Sequence, residues 1–265
     1  MTRRGAGRWA GETALTVLST VGVAVVAILV WHVSVTALDV PKILLPAPGQ
    51  VATAAWRERG PLWEGSLTTL WTATLGLVWA VGIGSMIAIL FSQFRWLRRA
   101  LFPYVIFLQT VPIVAIAPLL IIWSGYEFRT AVIATVIICL FPIVNNMTTG
   151  LEAARREHQD LFRMYAASRW QRLVKLQLPT SVPYLILGTR ISSGLAVIGA
   201  IVAEFFVSNG ATYQGLGALM TGWQGLMLTD ALIAALAMST LLGLVLFGAV
   251  NLLGRVLLAR YTNMA

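Results

Sequence analysis

Charge is scarce in this sequence. Only 11% of its 265 residues are Asp, Glu, Lys or Arg, against about 25% in an ordinary globular protein, and 58% are hydrophobic. So few charged side chains cannot cover a water-soluble molecule of this size. A soluble enzyme, a secreted disulfide scaffold and a disordered chain are excluded together, which leaves a membrane protein. Cysteine is nearly absent. Cys139 stands alone in an apolar run, which excludes an intrachain disulfide and a cysteine-rich metal site, and reads as a small packing residue. Lysine occurs only at 42 and 175, after Pro and Val, so no G-x-x-x-x-G-K-[ST] phosphate loop exists. Histidine is limited to His32 and His158, neither placed to serve a nucleophilic serine or to join a cluster of metal ligands. An intramembrane protease and a metal hydrolase lose their chemistry with it.

What is present is long and apolar. A span needs about 20 apolar residues to cross about 30 Å of hydrocarbon. Six stretches meet that need, at about 14–38, 66–91, 101–124, 130–150, 182–207 and 231–254, and the whole chain, 1–265, reads as one transmembrane domain. In the fifth, Arg190 is expected to snorkel to one interface while Glu204 lies near the other. Residues 205–229 are also uncharged, but five glycines (210, 215, 217, 222 and 225) with Asn209, Gln214 and Gln224 favour a loop with a short interfacial helix over a seventh span.

The net charge of +9 would suggest nucleic acid in a soluble domain. Here the basic residues sit in short runs between apolar blocks, as the positive-inside rule produces, so no nucleic-acid partner is expected. With both termini inside, 15 of the 19 basic residues are cytoplasmic, from Arg3, Arg4 and Arg8 onwards, and only Lys42, Arg57, Arg59 and Arg129 lie outside. The expected topology is N-in, C-in. The first run is too long for a signal-peptide core of about 7–15 residues, so it reads as a retained span.

Two spans carry small residues every fourth position: Gly76, Ala80, Gly84 and Ala88, then Gly188, Ser192, Ala196 and Ala200. Such residues share one helix face and let backbones approach in lipid. Packing within the chain is the expected use, and a subunit interface the alternative. Pro103, Pro112 and Pro118 punctuate the third span and Pro142 interrupts the fourth, with Gln109, Thr110, Asn145, Asn146 and Thr148 nearby. Kinked helices with polar side chains are costly in lipid unless they face protein or a water-lined path. Gln109, Asn145, Asn146 and Glu204 are therefore the candidate lining of a translocation path.

Residues 151–179 are charged yet periodic and far longer than a turn between helices requires. Leu161 and Tyr165, then Trp170, Leu173 and Val174, outline two short amphipathic helices, about 155–165 and 169–177. Ser168 with Gln171 fits a capping box at the start of the second. Each helix has an apolar face with no soluble part of this chain to cover it, so a partner or the membrane surface must.

This segment resembles the cytoplasmic coupling loop of ABC importer permeases, whose pattern is E-A-A, three residues, G, nine residues, I-x-L-P. Leu176, Leu178 and Pro179 match its end, which places the glycine position at Ala166 and the E-A-A positions at Asp160, Leu161 and Phe162. The literal Glu152-Ala153-Ala154 falls eight residues too early, while Ala166–Gln171 resembles the continuation G-A-S-R-W-Q, with Ser168 and Arg169 in their places. Asp160 shortens the acid. Ala166 replaces a glycine suited to a left-handed turn, where alanine costs about 1 kcal/mol. Pro112–Pro118 with Ile122-Trp123, Phe141–Asn145 and Val202-Ala203-Glu204-Phe205 resemble the nitrate/sulfonate/taurine branch, over residues 65–258 in all.

The resemblance implies an all-α, type I importer-like fold in the inner membrane of a bacterium. It also implies a second permease copy or paralogue around one pathway, a pair of ATP-binding subunits docked on the coupling loop, and an extracytoplasmic substrate-binding protein. This chain would bind no cofactor, and ATP would be used by the partner ATPase. The branch carries nitrate, sulfonates and taurine, but also vitamins and their pyrimidine precursors. No basic residue lies between Arg190 and Arg255 or within spans three and four, whereas Trp123, Phe141 and Phe205 offer aromatic surface. The run 160–165 resembles the vitamin side. A heteroaromatic substrate, riboflavin-like or pyrimidine-like, is expected, with a sulfonate, taurine or nitrate anion as the alternative. A secondary transporter, the rival class, would need ion-coupling acids and internal repeats, and would leave the loop unexplained.

Overall fold

The structure, a computed structural model, describes residues 4–207 and 214–262, with side chains described over 18–207 and 214–259. Arg3, Asn209 and Gly210 lie outside the described residues. Among those described, all regular structure is helical: α1 (Arg4–Ala37), α2 (Pro48–Arg57), α3 (Arg59–Gln93), α4 (Arg95–Thr110), α5 (Ile113–Ser124), α6 (Phe128–Glu152), α7 (Arg156–Met164), α8 (Arg169–Arg172), α9 (Leu178–Val207), α10 (Leu216–Gly225) and α11 (Thr229–Thr262). Among the described residues, five helices are long and apolar enough to cross a membrane, and a sixth crossing results if α4 and α5 are counted as one broken span.

The chain divides into two compact units. The larger, residues 60–222 and 235–265, is built on α6, with half of its membrane window buried. The small-residue seams explain how. Gly76 of α3 lies against Thr135, and at Gly84 a Cβ would stand 2.8 Å from Ile143, so α3 closes on one side of α6. Gly188 of α9 lies against the carbonyl of Pro142, where a Cβ would come within 2.9 Å, and Ser192 Oγ donates to the Cys139 carbonyl at 2.9 Å. All eight seam residues are buried. Both seams thus serve packing within the chain. Apolar clusters fill the joints: Ala88, Met147, Leu151 and Leu173 at one end of α6, and Leu120, Ala131, Ala134 and Ala203 at the other.

The smaller unit holds residues 1–59 and 223–234. Its α1 window is only 6% buried, an apolar rod whose valines and leucines face outward as lipid-facing residues would. Asp230, at the start of α11, is almost fully buried; its carboxylate meets Lys42 Nζ at 3.0 Å and Arg57 at 4.0 Å, and Thr229 Oγ1 donates to the Ile43 carbonyl at 2.7 Å. Neither this cluster nor α2 was expected from the sequence.

Three expectations are corrected. The third span is not a kinked rod: α4 and α5 meet at 102°. Pro112 cannot donate an N–H and forces Val111 into extended backbone (φ −73°, ψ 123°), so the helix stops and restarts. Pro142, by contrast, does not interrupt α6, which runs through it; its carbonyl takes a hydrogen bond from Asn146 Nδ2 at 2.7 Å. The second loop helix is not separate either. α8 passes through a π-helical turn, Leu173–Gln177, directly into α9, and Leu173 and Leu176 are buried in the chain's own core. The glycine-rich stretch forms the short helix α10, not a seventh span among the described residues.

Candidate functional site

The segment between α6 and α9 starts where α6 ends at Glu152, whose carboxylate pairs with Arg98 of α4. The literal Glu-Ala-Ala thus closes a span. After a turn, α7 carries Asp160, paired with Arg163 at 3.1 Å, and no residue of α7 is buried. Leu161, Met164 and Tyr165 are 49%, 83% and 80% exposed. A soluble surface seldom leaves three such side chains adjacent and uncovered.

The chain leaves α7 through a left-handed residue. Ala166 has φ +48°, its N–H donates to the Arg163 carbonyl at 2.9 Å, and the Ala167 N–H reaches back to the Phe162 carbonyl at 2.9 Å. These are the two bonds of a Schellman stop, with alanine where glycine is favoured. Two residues later the Ser168 N–H donates to Gln171 Oε1 at 2.8 Å, and the Gln171 N–H to Ser168 Oγ at 3.2 Å. The capping box read from the sequence is present. It starts α8 with Arg169 and the exposed Trp170.

The far end of the segment is anchored. The Leu178 N–H bonds five residues back to the Leu173 carbonyl, a widened turn that delivers the chain to Pro179, which has no N–H to place. Leu178 packs on the Ala88–Met147–Leu151–Leu173 cluster, and Gln93 Nε2 of α3 donates to Gln177 Oε1 at 3.0 Å. One half of the segment therefore projects apolar side chains from an open groove of about 280 Å³ lined by Leu161, Phe162, Tyr165, Ala167, Gln171 and Lys175. The other half is the first part of a spanning helix. A force on Tyr165 or Trp170 has a short helical route into α9.

The four path candidates do not form one constellation. Gln109 is exposed in the last turn of α4, beside the 102° bend. Asn145 and Asn146 are half-buried on α6, with Asn146 turned onto its own helix. Glu204 is completely buried. Asn146 is level with Gly188 of α9, so Glu204 stands about 24 Å further along that helix. A partner chain can only remove exposure, so Glu204 lines no open path in this conformation. Instead, Thr69 Oγ1 of α3 donates to Glu204 Oε2 at 2.9 Å, and the Gly217 N–H to the same oxygen at 3.0 Å. The Leu216 N–H in turn donates to Thr69 Oγ1 at 2.8 Å. The carboxylate thus caps the first turn of α10, where free N–H groups and the helix dipole favour an anion. Gly215 and Gly217 permit it: a Cβ on Gly217 would stand 2.7 Å from Glu204 Cβ, and one on Gly215 would overlap the carboxylate. Sequence reading took these glycines only as loop markers. A signal was available in the acid inside an apolar span followed by G-L-G.

Residues 80–260 match the family described as the binding-protein-dependent transport system inner membrane component. The chain belongs to this family. It is a multi-pass permease of the bacterial inner membrane, a transport subunit rather than an enzyme, with ATP hydrolysed by a separate ATPase and substrate presented by a binding protein. The riboflavin transport system permease protein RibX of Chloroflexus aurantiacus is 34% identical over 86% of this permease and 84% of its own length. The formylaminopyrimidine transport permease protein ThiX of Halalkalibacterium halodurans is 30% identical over 86% and 90%. SsuC of Escherichia coli, a putative aliphatic sulfonates transport permease protein, is 28% identical over 81% of both chains. In fold, the permease is similar to a chain of the MetNI methionine ABC transporter in an inward-facing crystal form, at a TM-score of 0.62 and 17% identity, over 74% of this chain and 95% of that one.

Proposed function

We propose that this permease forms the membrane pathway for a heteroaromatic vitamin or vitamin precursor, riboflavin-like or pyrimidine-like. The observation that carries this reading is the likeness to RibX and ThiX at 34% and 30% identity over 86% of the chain. The absence of basic side chains from residues 101–124 and 130–150 accords with a flat, uncharged ring system better than with an anion. The likeness to SsuC favours a second reading, a sulfonate-, taurine- or nitrate-type anion. Calorimetry of the partner binding protein against riboflavin, hydroxymethylpyrimidine, taurine and nitrate separates the two. Tight binding of taurine or nitrate alone overturns the first.

In this proposal both termini are cytoplasmic, and the segment from Asp160 to Pro179 docks in a groove on an ATP-binding subunit. Leu161 and Tyr165 are its anchors, the turn at Ala166 and the cap at Ser168 set its shape, and Arg169 continues it. Leu176, Leu178 and Pro179 pass the movement to α9. Two ATPases, a second copy or paralogue of the permease and an extracytoplasmic binding protein complete the importer. This chain holds no cofactor, and ATP is used by the partner. Gln109, Asn145 and Asn146 face the pathway, while Glu204 holds α10 beside it.

A further inference from the structure

A second, polar cleft of about 330 Å³ lies on the other side of the coupling segment, between the end of α3, the start of α4 and the π-helical turn. Arg95, Arg169 and Arg172 line it with Ser92, Gln93 and Gln177, and no carboxylate does. None of the three arginines makes an ion pair among the described residues. On the same segment, Glu152 is paired with Arg98 and Asp160 with Arg163. Arg172 Nε is buried without a hydrogen-bond partner, an arrangement that costs free energy unless an anion or another acceptor completes it. Three guanidiniums converging on one cleft without a counter-charge repel each other until an anion arrives, and planar forks suit phosphate oxygens.

We propose that this cleft binds a phosphate group, and that the group belongs to an anionic phospholipid headgroup. Depth favours the lipid. The cleft opens where the apolar run of α3 ends at Leu90 and Phe91, and the neighbouring Phe94 and Trp96 are 45% and 69% exposed, as aromatic residues are at headgroup level. A lipid seated there would brace the junction of α3, α4 and α9 at the point where the coupling segment meets the membrane.

The test is native mass spectrometry of the purified transporter complex with dioctanoyl-phosphatidylglycerol, dioctanoyl-phosphatidylcholine and inorganic phosphate as probes. The wild type is expected to retain phosphatidylglycerol over phosphatidylcholine, with retention falling roughly fivefold for each arginine removed in Arg95→Gln and Arg172→Gln. Arg129→Gln, at the opposite end of α6, controls for the general loss of positive charge. Displacement of the lipid by inorganic phosphate would make a free anion the occupant and keep the phosphate site. Equal lipid retention by wild type and variants, or binding of neither probe, would overturn it. If either Arg95→Gln or Arg172→Gln does not assemble, the other is read alone.

Discussion

The two ends of one long helical stretch, Arg169–Val207, meet opposite problems. At the Val207 end, a carboxylate sits in an apolar bundle and accepts hydrogen bonds from a threonine hydroxyl and the first turn of α10. At the Arg169 end, large apolar side chains beside α8 stand exposed, uncovered by any of the described residues. The buried charge is satisfied from within and the exposed apolar patch is not. A buried polar group that has found its partners belongs to the architecture, whereas an exposed apolar one that has not belongs to an interaction still to be made.

This contrast can be broken at either end. The largest effect on stability is expected from Glu204→Leu, which leaves the Thr69 hydroxyl and the Gly217 N–H without their acceptor in the core and should cost about 3 kcal/mol. The readout is a lowered melting temperature of the detergent-purified permease, and an unchanged one would remove Glu204 from the architecture. Next comes Ser168→Ala, which deletes one bond of the capping box and should cost about 1 kcal/mol, with loosened hydrogen exchange confined to α8 and the π-helical turn. Ala166→Gly should act in the opposite sense. Relief of the left-handed strain exceeds the entropy glycine adds to the unfolded chain, so a gain of about 0.5 kcal/mol is expected. A loss would show that the turn tolerates alanine freely. The smallest change in stability, within about 0.5 kcal/mol, is expected from Leu161→Arg and Tyr165→Arg, because those side chains touch little within this chain. The same two variants should abolish co-purification of the ATPase and uptake, and full co-purification would disprove docking at α7.

Local features were legible in the sequence. The apolar runs locate the spans because hydrocarbon accepts little else, and the Ser168–Gln171 spacing foretold a cap whose bonds lie within one turn. Ala166 could be identified as a strained position from its place in the pattern. Other features were not. The proline at 112 signals a disturbance, but whether a helix bends slightly or turns through 102° depends on what packs against each half. Pro142 shows the converse, since α6, packed against α3 and α9, stays helical through it. The continuity of α8 with α9 was hidden because charged residues suggested a loop, while Leu173 and Leu176 were needed by the core.

Glu204 marks the boundary between the two kinds of knowledge. The sequence by itself determined that this chain lives in a membrane, which apolar runs could cross it, and which surface segment carries an apolar face. Those are properties of composition and of neighbours within one helical turn, where solvent transfer and backbone hydrogen bonding decide locally. Only the tertiary structure decided that Glu204 meets Thr69, which is 135 positions away, and that Gly215 and Gly217 make room for it. The bond that satisfies a buried carboxylate is short-ranged in space but unconstrained in sequence, so its partner becomes known only when the helices have packed.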